Sequence, residues 1–180
     1  MRRALVLLPL LVAACAGERP TLRDVAPPEL YLEVLPRHAL LELDGVGMGK
    51  GSRAIPAPPA GAHLLVVSAD GFEPLERPLP EGSLDGVRVG VALRPEGFGA
   101  SRRLELDEPA GLAAAAAALE RSGRHRDALD YASRAAALDG RSALAQRALG
   151  DALSALGRRD EARAAWGRYL LLAPDAPDAR

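Results

Sequence analysis

Two patterns of apolar and polar positions divide this chain of 180 residues. Across 30–94 the apolar residues come in short runs, at 31–35, 39–43, 63–68, 73–79 and 87–93, with period-two or near-continuous character between turn residues. That spacing predicts strands, and several at such intervals predict a small antiparallel β-sandwich. The separators have physical roles. Asp44-Gly45 and Asp70-Gly71 suit the left-handed positions of tight turns, and Pro36 closes the first strand. Pro56, Pro58 and Pro59 make a stiff connection barred from a central ladder. No stretch of this region predicts a helix. From Ala110 onward alanine and leucine take over and a repeat appears at a period of about 34 residues, with Gly123 recurring as Gly157, Ala128 as Ala162 and Leu138 as Leu172. Helical hairpins are expected there, which makes the chain α+β with more than one domain.

The expected organisation is a leader over 1–14, a tether over 15–29, the sandwich over 30–94, a linker over 95–108, helices over 109–176 in two halves (109–142 and 143–176), and a polar tail over 177–180. The tether, rich in charge and proline, has almost nothing to bury. Gly97, Gly99 and Pro109 bracket the linker.

The leader is an address. Arg2 and Arg3 precede an apolar run from Ala4 to Val12, followed by Ala13, Ala14 and the chain's single cysteine, Cys15. Charge, apolar run and small residues in that order make a secretory signal, and with Pro9 inside it the run falls short of the roughly 20 residues a bilayer-spanning helix needs. Val12-Ala13-Ala14-Cys15 resembles the lipobox of bacterial lipoproteins. The resemblance implies a diacylglycerol on the Cys15 sulfur and cleavage before it; cleavage near Ala14 or Ala16 by the ordinary signal peptidase is the alternative. One acyl chain holds a membrane only marginally, whereas two or three anchor durably. An Asp after the cysteine commonly retains such proteins at the inner membrane; Ala16 stands here, so the outer membrane is the expected destination.

The sandwich region resembles the PEGA-type envelope domain. The match runs through Pro36, Ala39, Leu43-Asp44-Gly45, Gly47, Gly61-Ala62-His63, Leu64 to Val67, and Gly71-Phe72. Arg37 and His38 stand where the eponymous Glu-Gly would be, and Lys50-Gly51-Ser52 replaces the usual Thr-Pro. The helical region resembles tetratricopeptide (TPR) repeats, with Leu149-Gly150, Leu153, Gly157, Ala162, Trp166 and Pro174 at the family's spacings and a more degenerate first copy. The resemblance implies that Gly150 allows close helix approach, Gly157 turns the chain, Ala162 fills the crossing and Trp166 is the large plug. It also implies protein binding on a concave face carried by Ala110, Ala113, Ala117, Glu120 and Arg121 in the first repeat, and by Leu144, Arg147, Asp151, Ser154 and Ala155 in the second. The set that clamps a C-terminal carboxylate is incomplete, with only Arg147 suggestive. Repeat stacks normally need about three units and a polar cap. This one stops after two, with Tyr169 where the family favours alanine and Leu170 to Leu172 next. That end either folds back on the sandwich or meets another molecule, self-association included.

Charge and chemistry narrow the function. The formal net charge is −1 and becomes more negative once Arg2 and Arg3 leave, so neither nucleic-acid binding nor a polybasic membrane patch is expected. The loop 45–52 invites a phosphate-binding reading, but Asp44 falls at the first glycine of a Walker loop and Gly51 replaces its hydroxyl residue. His38, His63 and His125 are scattered without metal-ligand spacing; His63 suits a structural role and His125 an inter-helix turn. No nucleophile–base pair or metal set emerges, so neither an enzyme nor a cofactor or metal site is expected. The leading expectation is a lipid-anchored envelope scaffold binding a protein, with Cys15 lipidated and Glu120, Arg121, Leu144, Arg147, Asp151, Ser154 and Tyr169 as partner-binding residues. The alternative is an envelope module whose sandwich binds cell-wall or surface glycan, although Tyr31 and Phe72 are its only aromatics.

Overall fold

The computed structural model describes residues 27–98 and 106–176. The leader, Cys15, most of the tether, the middle of the linker and the polar tail lie outside the described residues.

Two sheets face each other. The first has the order β4-β1-β8, built from β1 (Glu29–Leu35), β4 (Arg53–Pro56) and β8 (Arg88–Ala92). The second has the order β3-β2-β5-β7, from β2 (Leu40–Leu43), β3 (Val46–Lys50), β5 (Leu64–Ser68) and β7 (Leu75–Pro78). Alternation sets the core: Leu30, Leu32 and Val34 of β1 are buried, as are Leu41 and Leu43 of β2, Leu65 and Val67 of β5, and Val89 and Val91 of β8. A two-stranded ribbon of β6 (Phe72–Glu73) and β9 (Arg94–Pro95) completes the β region, with Pro95 inside the span expected to be linker.

Three features differ from expectation. The sandwich is mixed, because β8 runs parallel to β1. The glycine-rich 45–52 stretch, read as loop, contributes β3, paired antiparallel with β2 across a register shift between Leu41 and Glu42; glycine masked its strand character. The expected single strand at 73–79 divides at Pro74 into β6 and β7, as a residue without an N–H would impose. The proline-rich connection begins with β4, an outer strand ending on Pro56. At the β2–β3 turn Asp44 (φ 52°) and Gly45 (φ 78°) both take left-handed conformations, the pairing that a tight hairpin demands.

Four helices follow as two antiparallel hairpins: α1 (Pro109–Arg121) with α2 (His125–Leu138), and α3 (Ala143–Ala155) with α4 (Arg159–Leu172). Pro109 opens α1, where a missing N–H costs nothing. Both hairpins turn by the same device. Gly123 and Gly157 are left-handed, and paired bonds (Arg124 N–H to Leu119 O and Gly123 N–H to Glu120 O; Arg158 N–H to Leu153 O and Gly157 N–H to Ser154 O) close a Schellman motif each time. Ser142 caps α3 through Ala145 N–H, and Asp160 and Glu161 place carboxylates in the first turn of α4. Small residues let the helices nest: Ala128, Ala132, Ala135, Ala145 and Ala162 are fully buried. At Gly150 the neighbour that requires glycine is the Trp166 indole, into which any Cβ would project.

A continuous hydrophobic cluster runs from the sandwich through α1, α2 and α3 as far as Ala152. The chain enters the sandwich at Glu29, and the helices sit at the other end of β1, where Tyr131 meets the Leu35 carbonyl. Seven residues of strand separate the two poles, about 20 Å at 3.3 Å per residue.

Candidate functional site

The concave side of α1 and α3 carries an open groove of about 730 Å³. Alanine makes its floor, with Ala110, Ala113, Ala114, Ala117, Ala118 and Ala148 lining it; Phe98 and Gly97 stand at one end, and Leu144, 60% exposed, stands at the rim. The volume exists because these side chains stop at Cβ. A floor of small apolar groups accepts large apolar side chains from elsewhere, and dispersion with desolvation would drive that contact.

Three of the four charged groups lining the groove face a partner. Glu120 lies 2.9 Å from His125 Nδ1, and Arg147 lies 3.9 Å from Asp151 and over the Tyr169 ring at 5.9 Å. The exposed Arg147–Asp151 pair is worth only about 0–1 kcal/mol, so an incoming charged group can replace one of its partners at little cost. Among the expected site residues, Glu120, Arg121, Leu144, Arg147 and Asp151 line the groove together. Ser154 and Tyr169 are not in its lining; Ser154 is exposed near the end of α3. His125, expected in a turn, is the first residue of α2.

The end of the repeat stack is more enclosed than its sequence suggests. Tyr169 is 7% exposed, and Trp166 is half-buried with its indole N–H donated to Asp151 Oδ1 at 3.0 Å. The apolar residues left in solvent are Leu170, Leu171 and Leu172, of which Leu171 is 83% exposed.

A second constellation, unforeseen in the sequence, joins sheet to helix. Tyr131 of α2 is fully buried and its hydroxyl lies 2.5 Å from the Leu93 carbonyl and 3.3 Å from that of Leu35. Its ring stacks on Phe72 at 6.0 Å, and the Arg124 guanidinium covers the other aromatic neighbour, 4.2 Å above Phe72, while donating to Gly71 O. Burial drives the Tyr131 phenol far above its usual pKa, so it stays a donor. Arg37 pairs with Asp130 at 2.9 Å, His38 lies 3.4 Å from Asp127, and Arg134 reaches Glu33 at 3.1 Å. Burial raises the Asp130 pKa, with Arg37 opposing. Arg37 and His38, which stand where the PEGA pattern has Glu-Gly, are thus contact points for α2. A signal for this face was present: Arg124, Asp127, Tyr131 and Arg134 recur at helical spacing of three and four.

Beside this junction lies a cavity of about 550 Å³ whose lining includes Glu33, Arg37, Asp130 and Arg134. Each of those four charges has an opposite partner in the pairs above. At the other pole His63 is held between Asp44 and the Pro59 carbonyl. Among the described residues no group of three or more His, Cys, Asp or Glu is placed to hold a metal ion, and no helix is long and apolar enough to cross a membrane. No protein-family model matches this chain, and no curated protein matches it.

Proposed function

We propose that this chain is a lipid-anchored cell-envelope protein with a PEGA-like sandwich and two TPR-like hairpins, acting as a non-enzymatic scaffold. The lipid on Cys15 ties it to the outer membrane, and the α1–α3 groove takes a segment of an envelope protein. The observation that carries this reading is the alanine-floored groove, an open apolar surface set at the opposite pole from the one where the tether enters. The fourteen residues from Ala16 to Glu29, at up to about 3.3–3.6 Å each, allow a reach of a few nanometres from the bilayer, and the sandwich adds its own length. A stalk that carries a groove away from the membrane suits capture of a partner in the space beyond the lipid.

The solvent-exposed Leu170–Leu172 edge adds a candidate surface for self-association. Glycan binding by the sandwich loses support, since Phe72 is 3% exposed and stacked on Tyr131, unavailable as a sugar platform.

Mass spectrometry on protein extracted from bacterial membranes tests the anchor. The reading expects a polypeptide beginning at Cys15 with acyl mass added, and Cys15→Ser released into the soluble fraction. A full-length, unacylated chain in the cytosol overturns it. Leu144→Asp, at the rim of the groove, should weaken partner capture while leaving the anchor intact.

A further inference from the structure

The imidazole of His63, immediately before β5, lies between two oxygens that can only accept. Nδ1 is 2.6 Å from Asp44 Oδ2 and Nε2 is 2.7 Å from the Pro59 carbonyl. A neutral imidazole carries one N–H, whereas the imidazolium carries two. Only the charged ring can therefore donate to both neighbours. After deprotonation one ring nitrogen turns a lone pair toward an oxygen at hydrogen-bonding distance, and one of the two contacts has to open.

Which contact opens follows from how each acceptor is held. Asp44 is fixed: its other carboxylate oxygen accepts Leu64 N–H at 2.9 Å, and its own N–H is bonded to the Leu64 carbonyl at 3.0 Å. It also bears charge, so the remaining N–H of the neutral ring stays with it. Pro59 has no such support. Among the described residues no backbone hydrogen bond ties 58–62 to the rest of the fold; the connection is anchored at its start by Ala57 N–H on the Pro28 carbonyl and at its end by Leu79 N–H on the His63 carbonyl. The bond to Pro59 is the tie between those anchors.

We propose that His63 is a pH-governed clasp: its imidazolium pins the 57–62 connection onto the β2–β3 turn, and loss of its proton frees that connection at the pole where the chain enters the sandwich. Asp44, from the β2–β3 turn, is the charged side chain that acts on the ring; the faces from the 57–62 connection and from the segment at Leu79 present neutral backbone groups. The hydrogen bond to Asp44, followed by that to Pro59, raises the His63 pKa; the same pairing lowers that of Asp44. The clasp is closed above the depressed Asp44 value and below the raised His63 value. It opens as pH climbs through the latter. This inference stands apart from the scaffold reading, because it concerns a pole far from the groove and holds whether or not Cys15 carries lipid.

The test is an NMR pH titration of the full chain, following the His63 ring together with the amide shifts and ¹⁵N relaxation of Ala60, Gly61 and Ala62. The expected His63 midpoint lies above the ordinary value of about 6.5, and the three amides shift with that midpoint and gain fast backbone motion on its alkaline side. In Asp44→Asn, which keeps the acceptor for Leu64 and tolerates the left-handed turn, the midpoint falls and the amides stop following pH in that range. A wild-type midpoint at or below the ordinary value, or loop amides that ignore it, overturns the clasp. The wild-type titration decides the question by itself if the Asn variant does not fold.

Discussion

The Tyr131 hydroxyl donates to the Leu93 carbonyl at 2.5 Å, a bond from the second helix to the residue that follows the last long strand of the sandwich. The Leu35 carbonyl stands 3.3 Å away on the neighbouring strand. One phenol thus closes the ends of two parallel strands and docks a helix onto them. Sheet and helices are expected to unfold together. Tyr131→Phe leaves buried carbonyls without this donor and should lose about 1–3 kcal/mol, with sheet and helix signals still falling in one denaturant transition. Two separate transitions in the wild-type protein would refute the coupling.

Gly150 and Trp166 form a similarly tight pair inside the second hairpin. A methyl at position 150 meets the indole, so Gly150→Ala is expected to destabilise by about 1–3 kcal/mol. Trp166→Leu in the same chain makes room and should recover part of that loss. Equal effects of Gly150→Ala in both backgrounds, measured by chemical denaturation, would show that the ring is not the obstacle.

Stability should depend on pH through His63 and Asp44. The His63 pKa is raised on folding, so its contribution is full below the unfolded value near 6.5 and fades as pH rises through the folded value. Asp44 has the opposite sign: its folded pKa is lowered, and its contribution fades as pH falls through that lowered value. Denaturation midpoints for wild type and His63→Asn, taken across the alkaline side of neutrality, should converge as pH rises. A constant difference removes the linkage.

Leu171 is 83% exposed on the final turn of α4. Leu171→Asp should leave folding stability within about 0.5 kcal/mol, as surface changes do. If the α4 edge self-associates, sedimentation velocity will show a concentration-dependent size for wild type that Leu171→Asp reduces to monomer. A size that does not respond takes this edge out of consideration.

Much of the architecture was legible in the chain because each element announces itself locally. The alternation in Leu30–Val34, the Asp44-Gly45 turn and the 34-residue recurrence of Gly123 as Gly157 all depend on residues near in sequence. Strand β3 was hidden because glycine at 45, 47, 49 and 51 carries loop propensity, and its pairing with β2 overrides that propensity only in the folded sheet. The TPR resemblance grouped Glu120, Arg121, Leu144, Arg147 and Asp151 on one surface, and these five do line one groove, while Ser154 and Tyr169 do not. The helix–sheet junction was not. Arg37 and Asp130, or Tyr131 and Leu93, are far apart along the chain, and an arginine-rich composition makes any single arginine uninformative. That Tyr169 is 7% exposed was not legible either, since its neighbours, Arg147 among them, come from another helix.

The central claim is that a partner binds in the alanine-floored groove of a membrane-tethered chain. Its most direct test is a photo-crosslinking residue placed at Ala117, exposed in that groove, and in parallel at Arg159 on the first turn of α4, outside it. In native envelopes the account predicts a discrete protein adduct from position 117 that position 159 does not give and that Leu144→Asp diminishes. Equal labelling from both positions, or an adduct from 159 alone, would contradict it.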